Sequence, residues 1–443
     1  MPALSSISET VKAAAAEAGF ELAGVAAVRD FPELDYFAKW VEAGYAGEMR
    51  YLESRSESGQ LKRASLRSAA PWARSVVVCA INYNTEEEAA TVGGSSGEDQ
   101  PTVDGLRSTA EQSAPADEHS RARDRVPAVT AQEAFGHRPS TAGSRLTGWI
   151  SRYAWSVEDY HEAVLRRLRA VEAKLREAAG TKIETRCYVD TGPLVERVYA
   201  KYAGIGWIGK NTCVINQRLG SWLFLGVILT SLELQPDLPA PDRCGTCMRC
   251  IDACPTDAFV GPYELDATRC ISYLTIEKRG EIPVELRPGV GRHVFGCDIC
   301  QDVCPWNRRA PASAAPEFQP RPGLVNPALE WLAQMDSERF REIFRGSPLK
   351  RAKLSGLRRN AVVAMGNSGE RSFLPVLRGL AEDPDPVLAE HARWAIAQLH
   401  SESAGAADRP IEDHPSPLTN EKPSQQHWEG TGSRFSRGAN WPE

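Results

Sequence analysis

No run in this 443-residue chain approaches the ~20 consecutive apolar residues that a membrane-spanning helix needs. Met1 to Phe20 reads as an amphipathic helix, opened by Ser6-Ile7-Ser8-Glu9 as a capping box and continued by Val11 and an alanine run. It has no basic start, apolar core or twin arginine, so it is not read as an export signal. Net positive charge is also lacking. The 52 Lys and Arg stand against 58 Asp and Glu, a formal −6, so any nucleic-acid surface must be a local patch. Aromatics are nearly absent from Thr85 to Ser144, which is mostly Gly, Ser, Thr, Glu, Asp, Ala, Arg and Pro. Such a segment cannot bury enough apolar surface to offset its ordering entropy, so a disordered insertion is expected there. His119 and His137 inside it are not expected to be ligands. The rest, in a chain 42% hydrophobic, is long enough for two or three domains.

Cysteine, by contrast, is plentiful: there are 11. Cys244, Cys247, Cys250 and Cys254-Pro255 are spaced C-x2-C-x2-C-x3-C-P. That is the bacterial ferredoxin run for 4Fe–4S clusters, whose fourth cysteine ligates the other cluster in two-cluster ferredoxins. A second run, Cys297, Cys300 and Cys304-Pro305, has Val294 where its first cysteine should stand; Cys270 is the replacement. By symmetry, Cys244, Cys247 and Cys250 hold one cluster with Cys304, while Cys270, Cys297 and Cys300 hold the other with Cys254. The alternative is structural zinc, which also uses C-x2-C pairs but without a third cysteine or a trailing C-P. Disulfides would need an oxidising compartment, which nothing in the chain marks. Thiolates committed to metal place the protein in a reducing cytoplasm. Cys79, Cys187 and Cys213 lie in apolar surroundings and are expected to be buried core thiols.

Along the chain, Phe20 to Val28 alternates like a strand, Phe31 to Leu52 has helical spacing, and Ser75 to Ile81 is apolar enough for a buried strand. After the insertion, Ser156 with Asp159 forms a looser capping box. The helix behind it carries Tyr160, Val164, Leu168, Val171 and Leu175 on one face and stops at Gly180. Ile183 to Val189 alternates as a strand, Leu194 to Tyr202 is helical, and Trp222 to Leu229 is an apolar strand. Alternating helices and strands predict a layered α/β domain. Pro236 to Pro241 is a linker. Beyond Trp306 the pattern is helical: Ala328 to Phe344 is amphipathic, and Leu357 to Leu399 forms one HEAT-type helix pair, which must pack on the helices before it. From Ser401 a polar, unstructured tail is expected.

Gly204-Ile205-Gly206-Trp207-Ile208-Gly209 satisfies G-x-G-x-x-G but follows a helical stretch and lacks the later acid of a dinucleotide site. Its glycines are read as allowing backbone to approach something flat. Asp190 follows a strand and precedes a Gly-Pro turn, where α/β folds gather their sites; a helix N-cap or Asx-turn suits it equally. Asp159-Tyr160-His161 opens like a cobalt-ligating D-x-H-x-x-G motif, but Val164 replaces the glycine, so His161 is read as a helix-surface residue. Lys278-Arg279, Arg308-Arg309, Lys350-Arg351-Lys353 and Arg358-Arg359 could together form a phosphate-tracking stripe.

Ser151-Arg152-Tyr153-Ala154-Trp155, Val189-Asp190-Thr191-Gly192-Pro193, Gly204-Ile205-Gly206, Gly209-Lys210-Asn211 and the eight-cysteine pattern together resemble the epoxyqueuosine reductases. The resemblance runs from Met1 to Leu399, apart from the insertion. It implies an α+β multidomain fold: a cobalamin-binding α/β domain (1–235), a ferredoxin-like double 4Fe–4S module (236–310), a HEAT-like tRNA-gripping helical domain (311–400) and a free tail (401–443). It further implies reduction of epoxyqueuosine to queuosine at the wobble position of a tRNA, with cobalamin that takes no histidine ligand from the protein. Asp190 matches the family's proton donor, and desolvation of a buried carboxyl there would keep it protonated. Arg63, Ala154, Asp190, Val214 and Ser272 fall on its corrinoid contacts, and Lys278 and Arg279 on its anticodon-stem contacts, with Lys350, Arg351, Arg358 and Arg359 extending that surface. A cytoplasmic monomer fed by a low-potential electron donor is expected. The rival readings are a reductive dehalogenase, which usually carries an export signal and lacks a HEAT-like end, and a ferredoxin-like electron carrier fused to a binding domain.

Overall fold

The computed structural model describes residues 4–85, 146–321 and 323–405. Apart from Thr85, the expected insertion lies outside the described residues, as does the tail beyond Gly405. The chain opens with α1 (Leu4–Glu17), β1 (Leu22–Ala27), α2 (Pro32–Glu42) and β2 (Ser75–Asn82). It continues through β3 (Trp149–Ile150), α3 (Tyr160–Ala179), β4 (Thr185–Tyr188), α4 (Glu196–Tyr202), the hairpin β5 (Trp207–Ile208) and β6 (Val214–Ile215), and β7 (Leu223–Thr230). A four-stranded sheet of order β1-β2-β7-β4 lies at the centre. The layers are those expected, yet every pair in the sheet is antiparallel. Helix–strand alternation specifies layers; strand sense depends on how each connection returns, which local periodicity does not carry.

All of β2 is buried because helices cover both faces of the sheet. Val77, Cys79 and Ile81 join Val11 of α1 and Val164 and Leu168 of α3 in one core, while Val76, Val78 and Ala80 join Leu34 and Tyr199 in the other. Strand geometry sends successive side chains to opposite faces, so a strand covered twice reads as an unbroken apolar run. The cap of α3 differs from the expected box. Asp159 is itself the N-cap, accepting from the His161 backbone N–H, and the Ser156 hydroxyl has no partner. Gly180 ends the helix at φ 62°, as its sequence predicts.

The cysteine-rich segment is built from short pieces: α5 (Arg249–Asp252), the hairpin β8 (Phe259–Gly261) and β9 (Glu264–Leu265), α6 (Ile271–Ile276), β10 (His293–Phe295) and α7 (Ile299–Asp302). β10 pairs in parallel with β3, which ties this segment to the chain before it. The amphipathic stretch 328–344 is two helices, α8 (Leu329–Ala333) and α9 (Ser337–Ile343), because the Asp336 side chain caps a new start on the Arg339 N–H at 2.8 Å. Then come α10 (Lys353–Gly366), α11 (Leu374–Leu380) and α12 (Pro386–Gly405), the last extending past the expected end at Leu399. One core joins Ile150, Val294 and Phe295 to Leu332, Leu357 and Leu377, so these helices share their interior with the earlier segments. Among the described residues no helix is long and apolar enough to cross a membrane.

Candidate functional site

Several of the sulfurs lie close enough to act on one another. Burial, then the sulfurs of Cys304, Cys244 and Cys247, push the Cys250 thiol up to about 11. Burial, then Cys270 and more distantly Cys254, push Cys297 well above its ordinary value. Thiols that crowd and raise one another are the arrangement a cationic iron–sulfur core reverses, because it binds them as thiolates. Backbone N–H groups already aim at them: Ala258 donates to Cys254 Sγ at 3.4 Å, and Ser272 and Tyr273 donate to Cys270.

Cys213 corrects an expectation. It is not a plain core thiol: it is only partly buried, and the neighbouring Cys300 sulfur lowers its pKa. The loop that carries it, 209–213, threads between the two cysteine runs. Lys210 Nζ donates to the Gly245 carbonyl at 2.7 Å, and Asn211 Nδ2 donates to the Cys300 carbonyl at 3.2 Å. The glycine triplet before this loop approaches protein backbone, not a flat ligand. A Cβ at Gly206 would lie 2.3 Å from the Ile215 carbonyl oxygen, inside the β5–β6 hairpin.

Asp190 sits just beyond β4 in the left-handed region, φ 57°. Its backbone N–H donates to Glu196 Oε1 at 2.9 Å, and its carboxylate accepts the Tyr160 hydroxyl. The N-cap alternative is not realised, because α4 begins after Val195. The burial argument does not hold either: the Asp190 side chain is 55% exposed. The buried carboxyl is Glu196, pushed well above the usual range first by burial and then by the charge of Asp190. His161 also differs from expectation by facing the site. Its Nε2 is 3.9 Å from Asp190 Oδ2 and its Nδ1 is 2.7 Å from Asp159 Oδ1. Asp159 in turn takes Lys350 Nζ at 3.2 Å. Burial opposes ionisation of Asp159, but the hydrogen bonds from His161 and Lys350 hold its carboxyl down at about 2.

Two arginines flank Tyr51 beside this carboxylate. Arg63 lies 5.8 Å from the ring centroid and reaches toward the Asp190 carbonyl at 3.5 Å, while Arg351 lies 5.1 Å from the same ring and pairs with Glu277 at 2.7 Å. Ser272, on α6, is partly open, whereas Ala154 and Val214 are each only 4% exposed and turn their surface into the core. Tyr153 links the two centres. Its ring is 5.9 Å from that of Tyr160, and its hydroxyl is raised by burial and then by Asp190 and Asp298, the neighbour of Cys297.

The basic stripe divides. Lys350 is 58% exposed and Arg351 50%, and Arg308 and Arg309 are exposed. Lys278 pairs with Glu48 at 2.6 Å, and Arg279 is exposed while donating to the Ala352 and Arg351 carbonyls. Arg358 and Arg359 do not belong to this surface. Arg358 is committed to Asp383 at 2.8 Å and to the Ala333 carbonyl. Arg359 is 2% exposed and donates to the Leu274, Lys278 and Gly280 carbonyls. A doublet of arginines on a helix places one side chain a third of a turn from the next, so one can be interior.

The family model described as "4Fe-4S double cluster binding domain" matches residues 243–307. A curated epoxyqueuosine reductase of Pseudomonas aeruginosa is 35% identical over 402 residues, 90% of this chain and 95% of that protein. The chain belongs to the epoxyqueuosine reductase family. The model described as "Epoxyqueuosine reductase QueG, DUF1730" matches 124–191, so family likeness begins inside the segment read as an insertion. A solved epoxyqueuosine reductase with a tRNA-Tyr epoxyqueuosine-modified stem loop superposes with a TM-score of 0.71 at 27% identity, covering 93% of this chain and 96% of that one. The Bacillus subtilis epoxyqueuosine reductase, solved with its catalytic aspartate loop swung out of the active site, gives the same TM-score of 0.71, at 27% identity and the same coverage. Like other epoxyqueuosine reductases this chain is an oxidoreductase, and the segment matched as a double 4Fe–4S domain contains all eight of these cysteines. Glu196, Tyr160 and Lys210 were not singled out from the sequence as site residues. An acid six positions past Asp190 and a lysine inside the Gly-Lys-Asn run were the available signals.

Proposed function

We propose that this chain reduces epoxyqueuosine to queuosine at the wobble position of a tRNA anticodon. The observation that carries this reading is the placement of Asp190: an open carboxylate, fixed by Glu196 and by Tyr160, whose ring neighbours that of Tyr153, which in turn neighbours Phe295, two residues before Cys297. Cobalamin would supply a strong nucleophile fed one electron at a time from the clusters. The donor set suits a corrinoid without a protein ligand, since both ring nitrogens of His161 face carboxylates. Arg63, Asp190 and Ser272 would hold it, with Ala154 and Val214 backing them.

Removing the epoxide oxygen as water takes a pair of electrons and a pair of protons. Asp190, once protonated by the solvent its exposure admits, would pass that proton to the departing oxygen. Tyr160 and Glu196 keep the carboxyl aimed. Cys244, Cys247, Cys250 and Cys304 form one cluster and Cys254, Cys270, Cys297 and Cys300 the other. Lys278, Arg279, Lys350 and Arg351, on or beside a HEAT-like helical domain from 311 to 400, are the tRNA contacts, as their charge and exposure suit phosphate. The corrinoid domain spans 1–235 and the cluster module 236–310, in a cytoplasmic monomer served by a low-potential electron donor.

The test uses Asp190→Asn protein that retains its iron and corrinoid. Turnover of epoxyqueuosine tRNA, followed by nucleoside mass analysis, should fall by roughly 10²–10⁴-fold, the usual contribution of a positioned acid. Normal turnover would remove Asp190 from the role. Unchanged queuosine in a strain lacking this protein would count against the function itself.

A further inference from the structure

Lys210 is only 8% exposed, an unusual place for an ammonium group. It donates to the Gly245 carbonyl at 2.7 Å and the Cys247 carbonyl at 3.0 Å, and its third neighbour is the Met248 thioether at 3.6 Å. Three acceptors at once use the three N–H bonds that only the protonated amine has. None of the three is a carboxylate. A buried charge without a counter-ion is costly, and a structural lysine would be expected to find an acid. What lies beside it is the loop carrying Cys244, Cys247 and Cys250. Four thiolates outweigh the charge of the iron core they hold, and reduction adds one more negative charge.

We propose that Lys210 is the fixed counter-charge of the cluster held by Cys244, Cys247, Cys250 and Cys304, and that it raises this cluster's reduction potential relative to its partner's. A positive charge held in a poorly solvated site favours the reduced, more negative state. The loop is built to keep it there. The Tyr263 N–H donates to the Lys210 carbonyl at 3.1 Å, and buried Asn211 anchors the next residue to the Cys300 carbonyl at 3.2 Å. One loop of the sheet domain therefore grips both cysteine runs and places a cation at only one of them. The two clusters then differ in potential, which gives electron flow between them a direction.

This rests on the tetrad assignment, and the experiment separates the two. Anaerobically purified, cluster-loaded protein is titrated electrochemically and followed by electron paramagnetic resonance, without tRNA. In Lys210→Met the reduction equilibrium of one cluster should shift about tenfold toward the oxidised form, ~59 mV for a one-electron couple, while the other cluster stays in place. Lys210→Arg should restore most of the shift. Unchanged potentials in iron-replete Lys210→Met, or equal shifts in both clusters, would overturn the proposal. So would loss of half the iron in both Lys210→Met and Lys210→Gln with the protein folded, since Lys210 would then be a strut. Cys244→Ser and Cys304→Ser must bleach the same signal; if they bleach different ones, the tetrad assignment fails while a shift caused by Lys210 stands.

Discussion

Asp159→Asn should destabilise the protein while leaving its helix cap intact. Asparagine caps as well as aspartate, so α3 should keep its start and the change removes only charge. The folded protein holds the Asp159 carboxyl at about 2 against an ordinary 3.8, with burial working against the shift and the bonds from His161 and Lys350 producing it. At 1.36 kcal/mol per unit this corresponds to about 2 kcal/mol. The Lys350 side chain is 58% exposed, so solvent screens its share and a loss on the order of 1–2 kcal/mol is expected. The sign follows from linkage. A carboxyl depressed in the folded state stabilises above its unfolded pKa, and that contribution is lost only as pH falls from about 4 toward 2. The deficit should therefore still be present at pH 5 and fade only below about pH 4. Anaerobic thermal unfolding of cluster-loaded protein, read by tryptophan fluorescence, should show Tm lower by a few degrees at pH 7 and at pH 5. Turnover should fall too, because a neutral amide oxygen holds His161 in its orientation toward Asp190 less firmly than the carboxylate does. A variant as stable as the parent, or a deficit already gone at pH 5, would refute the reasoning.

Arg359→Met leaves the Leu274, Lys278 and Gly280 carbonyls without their donor, at about 1–3 kcal/mol each where no water replaces it. Low soluble yield or a sharply lowered Tm is expected, and a Tm within a degree of the parent would show the arginine to be dispensable. Lys350→Ala should instead weaken tRNA binding and reduce the salt slope of log K by about 1, as measured by fluorescence anisotropy across ionic strength. An unchanged slope would remove Lys350 from the phosphate contacts.

Much of the fold could be read from local pattern. Val76 to Ile81 could only be a strand covered on both sides, and the α3 stripe from Tyr160 to Leu175 and its stop at Gly180 follow from helical spacing and a residue tolerant of φ 62°. The cysteine spacing was legible because each short run must bring its sulfurs to one metal core, a constraint within a few residues. Ser156 is not the cap because the helix begins three residues later, where Asp159 accepts from the His161 N–H. The amphipathic stretch 328–344 is divided in a similar way, by the cap at Asp336.

What the chain alone determined is therefore the chemistry that acts at short range: thiolate spacing, strand and helix periodicity, turns, and the residue types available near Asp190. Only tertiary structure decided which of those groups are buried and what they face. Glu196, not Asp190, is the desolvated acid because the sheet and α4 close over it. Arg359 is interior while Lys350 is open, and Lys350 meets Asp159 across 191 residues of sequence. Solvation and charge pairing depend on distance in space, and the partners that set them come from segments that sequence spacing does not relate.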